Sequence, residues 1–297
     1  MPIGNPGRDF DNVVANVKEF ENIDHSELIL VIDSLDCPEV NALSKFSSEN
    51  PNVIVLHSFC RNPGGARNLG KEYSTGEWVS FIDSDDSTNF KNYFQMIVEG
   101  SLAGAELILG KYRLVNETGS VINLKENFSE RYIAKSIARN PGIWRMSFKR
   151  NLVEEVDFPN LRMAEDQIFL ARLRFWERNI WVSEFLVYTY RRNIIGQLTR
   201  NQDAISDLLK AQEITLGLLF KERPKSVGSG ILAIVVINQL LTSLKHLGLR
   251  GFWPLRKTSR KESGTIRILR ISARLGLTML TEIVYKSKKL RKVGANL

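Results

Sequence analysis

The sequence predicts an α/β protein whose mostly parallel, Rossmann-like sheet carries helices on both faces, followed by a helical C-terminal extension. Three observations predict it. Between Asp11 and Asp83, apolar runs alternate with helical segments and the chain breakers fall between them. The runs ELILVID and NVIVLH are continuously apolar and β-branched, as expected of strands covered on both faces, and crossover helices between them imply parallel pairing. From about residue 201 the pattern is helical. The expected division is an α/β domain over 1–200 and a helical extension with a basic tail over 201–297.

Taken in order, residues 11–22 suit a helix, 27–33 a strand, 39–48 a helix, 52–57 a strand, 65–74 a helix and 77–83 a strand. A helix near 88–101 and a strand at 105–110 follow, and Asn116 to Ser120 (NETGS) carries a hairpin signal. AEDQIFLARLRFWER (164–178) is the clearest later helix, before the strand-like IWVSEFLVYTYRR. The longest apolar segment, GILAIVVINQLLTSL (230–244), is shorter than the ~20 residues of a membrane span and is interrupted by Asn238 and Gln239, so it reads as a buried helix.

Composition excludes several classes. Two cysteines, Cys37 and Cys60, are too few for a disulfide framework and lack C-x-x-C metal spacing, which suits a reducing cytoplasm. The N-terminus has no basic region followed by an apolar one, so no secretory signal is expected. Of the net charge of +8, the segment from Arg250 to Leu297 holds 13 Lys+Arg against Glu262 and Glu282, a local +11 that leaves −3 for the rest.

Strand ends carry the chemistry. Ligands of parallel sheets bind at the carboxyl ends of the strands, and here Asp33 and Asp36 follow one strand while Asp83, Asp85 and Asp86 follow another. Alternation along an extended backbone puts Asp83 and Asp85 on one side. Two carboxylates about 4 Å apart repel by roughly 4 kcal/mol at an effective dielectric near 20, and a divalent cation turns that repulsion into coordination. Oxygen ligation suits Mg²⁺ or Mn²⁺ held together with substrate phosphates; the competing reading is a solvated acidic turn. RNPGGARNLG (61–70) lies between a strand and a helix, where glycines and free N–H groups favour phosphate and Arg67 adds a planar cation. A plain tight turn would use the same glycines.

Asp33, the Asn62 to Gly70 stretch, Thr75-Gly76-Glu77 and FIDSDD together resemble an inverting family 2 glycosyltransferase of the GT-A fold, of the bacterial polysaccharide type. The likeness continues through GIWRMSFKRNLVEEVDFPNLRMAEDQIF to YTYRRNIIGQLTR, covering roughly residues 2 to 200. The resemblance implies a nucleotide-sugar donor, with Asp33 at the base and uridine as the expected base, and with Asn5 and Arg67 in the nucleotide site. Asp85 would reach a Mn²⁺ or Mg²⁺ ion on the donor diphosphate, with Asp83 at the ribose or metal shell and Asp86 near the sugar. Asp166, beside Glu165, would be the general base. At a helix N-terminus it is expected to stay ionised at neutral pH, or else to serve only as a helix cap. Arg191, Gln197 and Thr199 match a late polar segment that closes over the diphosphate. The chain departs from the family pattern at its start, where Met1 to Asn5 leaves only a stub of the first strand, and at Ile32-Asp33, where one of two paired acids remains.

The implied enzyme is a hexosyl- or N-acetylhexosaminyltransferase acting on a saccharide or lipid-linked saccharide acceptor. FIDSDDS also resembles the D-x-D-x-[T/V] motif of haloacid-dehalogenase-like phosphatases, but that motif opens its domain, whereas some 80 residues precede this one and residue 87 is Ser. A non-catalytic scaffold subunit is a third reading, against which intact Asp83, Asp85 and Asp166 argue. In the tail, Arg267, Arg270 and Arg274 share a helical neighbourhood with Ile, Leu and Met, which suits either an anionic membrane surface or a packed helix with a solvated basic rim. No recognition motif accompanies the charge, so nucleic acid is not expected. The expected location is cytoplasmic, peripheral at the inner face of the plasma membrane.

Overall fold

The computed structural model describes residues 1–21, 23–34, 38–116, 119–123, 132–191, 202–255, 257, 275–280 and 282. Asp36, Cys37, Gln197, Thr199 and most of the basic tail lie outside them.

Three parallel strands open the chain: β1 (Pro2–Ile3), β2 (Leu28–Ile32) and β3 (Val53–His57), in the order β1-β2-β3. Their crossovers are α1 (Pro6–Phe20), then α2 (Pro38–Ser44) and α3 (Phe46–Glu49), with α4 (Pro63–Tyr73) following β3. The apolar runs are continuous because both faces of β2 are covered. Leu30 and Ile32 pack with Val13 and Val17 of α1, while Ile29 and Val31 pack with Ala66 of α4. Helix α1 starts earlier than periodicity alone places it, because Asn5 caps the Arg8 amide and Pro6 occupies the first turn.

A second, mixed sheet follows in the order β4-β8-β6-β9-β5, with β7 on β6. It comprises β4 (Trp78–Ser80), β5 (Ser87–Thr88), β6 (Leu107–Val115), β7 (Val121–Asn123), β8 (Met146–Lys149) and β9 (Ile180–Arg191). β6 and β9 run parallel, and the other pairings are antiparallel. Thus the parallel arrangement holds for β1–β3 and for β6 beside β9, and antiparallel strands complete the sheet. Helices α5 (Phe90–Leu102), α6 (Ile133–Arg139), α7 (Arg150–Val153) and α8 (Glu165–Leu173) lie between these strands in the chain.

The segment expected as one helix over 164–178 stops at Leu173. Arg174 turns left-handed at φ 53°, and its guanidinium pairs with Glu177 and Glu222. Helices α9 (Gln202–Lys221) and α10 (Val227–Leu247) bury themselves on α8 and α6. Leu208 and Ala211 pack with Ile168, Leu216 and Val236 pack with Ala171, and Ile234 joins Phe169 and Ile137. The stretch Val227–Leu255 is long and apolar enough to cross a membrane by composition, but 67% of its most apolar window is buried against the protein.

Candidate active site

Sequence places the site by ending strands where helices begin. Beyond β4 the chain leaves the ladder at Phe81 and Ile82, which stay buried and carry Asp83 to Asp86 to the sheet edge. Phe81 sits edge-on to Phe158 and Phe169, with ring centroids 4.9 and 5.5 Å away, and Phe158 stacks on Phe169 at 4.0 Å. This aromatic floor ties the acid loop to α8; each such pair contributes about 1 kcal/mol beyond its buried area.

Helix α4 is the brace between the two. Asn62 caps it by accepting from the Gly65 amide at 2.7 Å, and Asn68 holds Phe158 through both of its backbone polar groups, at 2.9 and 3.0 Å. Gly64 allows this closeness: a Cβ there would fall 2.4 Å from the Pro159 carbonyl oxygen. From the same helix the Arg67 guanidinium donates to Asp83 Oδ1 at 2.7 Å and to Glu165 Oε1 at 2.6 Å, over the Phe158 ring. Arg67 is buried and lines the cleft, but both terminal nitrogens are held by carboxylates, so it joins the two acid groups rather than standing open to a nucleotide.

A cleft of about 690 Å³ opens between these elements and is lined by Asn5, Asp33, Arg67, Asp83, Asp85, Glu165 and Asp166. Seven of the residues singled out from sequence therefore meet in one space. Asp33 accepts from the backbone amides of Arg61 and Asn62, each at 3.0 Å, so it also orders the loop that leads into α4. Asp85 is pushed up to about 6, first by burial and then by the charge of Asp83, and Arg8 Nη2 lies 3.7 Å from it. Glu165 and Asp166 start α8, where Ala164 adopts a left-handed φ of 63° that aims the helix at the cleft.

Two expectations are corrected. Asp86 does not line the cleft: it is 1% exposed and accepts from the Tyr188 hydroxyl at 2.9 Å and the Arg191 amide at 2.7 Å. It fastens the end of β9, and Arg191, also outside the cleft lining, is held there with it. Nor does the helix N-terminus keep Asp166 fully ionised at neutral pH. Burial, then the Glu165 charge, raises it to about 7, against the lowering by Arg67 and by the Gln167 amide at 2.7 Å.

Sequence reasoning passed over Arg8, Asp9, Trp144, Arg162 and Tyr190, which also line the cleft. Asp9, 2% exposed, pairs with Arg8 and accepts from Ser84 Oγ at 2.8 Å, fixing the acid loop. Its signal was the Asn-Pro helix start, which places residues 8 and 9 in the first turn. Trp144 stacks between Tyr188 and Tyr190, at 4.4 and 5.5 Å, and forms a flat wall. Only the i, i+2 spacing of the two tyrosines hinted at a shared face.

Among the described residues no cluster of three His, Cys, Asp or Glu forms a closed metal cage. A Mg²⁺ or Mn²⁺ site needs none: one or two carboxylates suffice when diphosphate oxygens complete the shell. Asp85, raised by burial beside Asp83, is the carboxylate that a cation would relieve, so the residues present fit such an ion.

Fold and cleft together define a GT-A protein, with strand-end acids facing a helix-start acid. The family model for glycosyl transferase family 2 matches residues 2–165, more than half of the chain, and the chain belongs to that family. It is 29% identical over 245 residues to the succinoglycan biosynthesis protein ExoO of Rhizobium meliloti, covering 75% of this chain and 65% of ExoO. This chain thus spans under two thirds of that relative's length. The fold matches S. aureus TarS 1-349 in complex with UDP-GlcNAc at a TM-score of 0.68 and 16% identity, over 93% of this chain and 78% of that one. It also matches the mannosyltransferase PcManGT from Pyrobaculum calidifontis in complex with GDP-Man and Mn²⁺, at a TM-score of 0.55 and 14% identity, over 94% and 85%.

Proposed function

We propose that this chain is an inverting glycosyltransferase that moves a hexosyl or N-acetylhexosaminyl group from a UDP-sugar to a hydroxyl of a saccharide or lipid-linked saccharide, in cell-surface polysaccharide synthesis. The observation that carries the reading is one cleft with Asp83 and Asp85 on one wall and Asp166 on another, joined through Arg67 and Glu165. The UDP-GlcNAc of TarS and the polysaccharide role of ExoO support the donor and the pathway class.

In this reading the acceptor oxygen forms a bond to the anomeric carbon as the bond to the diphosphate breaks. The acceptor proton passes to the Asp166 carboxylate, and the nucleoside diphosphate leaves on the opposite face. Asp85, with Asp83, would hold Mn²⁺ or Mg²⁺, which neutralises charge on the leaving diphosphate when bound; the Mn²⁺ of PcManGT supports this. Asp33 and Asn5, both in the cleft lining, would meet the nucleotide, and Tyr190, backed by Trp144, lines the same cleft. Asp166, raised to about 7, is matched to a base that must both take and release a proton near neutral pH.

The phosphatase reading needs Asp83 as a free nucleophile, but its carboxylate is tied to Arg67 at 2.7 Å. The scaffold reading leaves the meeting of the acids unexplained. The basic tail is read as a contact with the anionic inner face of the plasma membrane, which would keep the enzyme cytoplasmic and peripheral. Incubation with a UDP-sugar, Mn²⁺ and a saccharide acceptor, followed by NMR of the product, tests the main reading. A new glycoside of inverted anomeric configuration is expected; phosphate release without transfer would overturn it.

A further inference from the structure

We propose that the turn closing α10 is a rigid apolar wedge, formed by Leu249, Phe252 and Trp253, that inserts into the headgroup region of an anionic bilayer. The inference deepens the membrane reading of the tail, but it rests on different residues, all folded.

The turn is built to hold large apolar groups outward. Helix α10 ends at Leu247, Gly248 takes φ 56° as its cap, and its amide returns to the Leu244 carbonyl. The chain then makes a tight turn over Gly248–Phe252 that lies against the helix it has just left. Gly251 is the contact: a Cβ there would stand 2.9 Å from the Leu244 nitrogen and 3.0 Å from Ser243 atoms, so only glycine permits the approach. Just beyond, Leu255 packs against the cluster of Leu216, Phe220 and Val236. Anchored on both sides, the turn nevertheless leaves Leu249 84%, Phe252 40% and Trp253 59% exposed.

A second apolar face leaves the same cluster. Leu275 packs there beside Leu255, while Leu277 and Leu280, three residues apart and so on one helical face, are 66% and 64% exposed. Glu282, fully buried, pins the end of this segment to Arg139 of α6 at 2.7 Å.

Charge selects the occupant. From Leu244 to Lys261 the sequence holds no Asp or Glu but Lys245, Arg250, Arg256, Lys257, Arg260 and Lys261, whereas the chain before Arg250 is net negative. Lys245 and Arg250 are exposed next to the apolar side chains. Tryptophan, phenylalanine and leucine amid cations suit the boundary between acyl chains and anionic headgroups. A second copy of this chain docked through the turn would bring Lys245 and Arg250 against like charges, which disfavours a dimer there.

The test uses the full chain with vesicles of phosphatidylcholine alone or containing phosphatidylglycerol, in a co-sedimentation assay. A Leu249→Ser, Phe252→Ser, Trp253→Ser variant is expected to bind anionic vesicles at least tenfold more weakly, with an unchanged thermal midpoint and unchanged turnover on a soluble acceptor. Brominated lipid in anionic vesicles is expected to quench wild-type tryptophan emission and to quench Trp253→Phe far less. Wild-type binding by the triple variant, or equal quenching in Trp253→Phe, overturns the wedge. Light scattering that shows the wild type as a dimer and the triple variant as a monomer, without vesicle binding, assigns the face to a second copy and also overturns it. Failure of the tail reading is separate: it shows as wild-type vesicle binding by an Arg267→Glu, Arg270→Glu, Arg274→Glu variant.

Discussion

The two acidic walls of the cleft are held in different ways. On the proposed donor wall, Asp33 accepts two backbone amides, Asp83 is paired with Arg67, and the loop is fixed by Asp9 and Ser84, so many small interactions set its shape. On the proposed base wall, Glu165 has one strong partner, Arg67, and Asp166 accepts one amide at the start of a helix entered through a left-handed alanine. Their acids are nonetheless raised by the same causes. Asp85 is raised to about 6 and Asp166 to about 7, in both cases chiefly by burial, and each has a neighbouring carboxylate as its second cause. In the proposed reading one wall holds the cation that binds the donor diphosphate and the other exchanges a proton.

Arg67 is where the comparison breaks most easily, because it serves both walls. Arg67→Met leaves the nearly buried Glu165 without its partner, a loss of about 3 kcal/mol. We expect a fall of about 5 °C in the thermal midpoint, at roughly 2 °C per kcal/mol in a chain of this size, together with loss of both donor binding and turnover. A midpoint within a degree of wild type would show that the bridge carries little.

pH separates the walls without mutation. A carboxyl raised to about 7 binds its proton below that value, so Asp166, as the proposed base, becomes available only as pH rises through 7. Turnover should fall about tenfold per unit below it. A bound divalent cation would keep Asp85 charged over the same range, so as pH falls below 7 kcat should drop while the KM for the donor holds. Glu165→Gln removes the neighbouring charge that raises Asp166, and the acid limb of the profile should move to lower pH. An unmoved limb would detach that limb from this acid pair.

The smallest expected effect lies outside the cleft. Asp86→Ala strands the Tyr188 hydroxyl and the Arg191 amide, which should lower stability by about 2 kcal/mol while donor KM stays near wild type. A donor-specific defect in a stably folded variant would return Asp86 to the site.

Legibility followed the same division. The βα rhythm and the strand-end acids were readable because continuous apolar runs and breakers directly reflect burial on both faces, as Ile29, Leu30, Val31 and Ile32 illustrate. Asp86 is expected near the sugar from the resemblance alone, whereas alternation along the strand sets it apart from Asp83 and Asp85; the partners on β9 that hold it lie some 100 residues away and leave no local signal. The ionisation of Asp166 was misread because the helix dipole is a local property, whereas burial is created by distant packing. The stop of α8 at Leu173 escaped periodicity for a similar reason: Glu222, which pairs with Arg174, belongs to the connection after α9. Arg8 and Asp9 were within reach, had the Asn5-Pro6 cap been read as a helix start.

The division between donor wall and base wall is tested most directly by measuring donor binding and turnover side by side in Asp166→Asn and Asp85→Asn, with Mn²⁺ and a UDP-sugar. The account predicts that Asp166→Asn binds the donor as wild type does and turns over at least about 10³-fold more slowly, within the range of a lost general base, while Asp85→Asn loses metal-dependent donor binding. Wild-type turnover in Asp166→Asn, or full metal-dependent binding in Asp85→Asn, would contradict it.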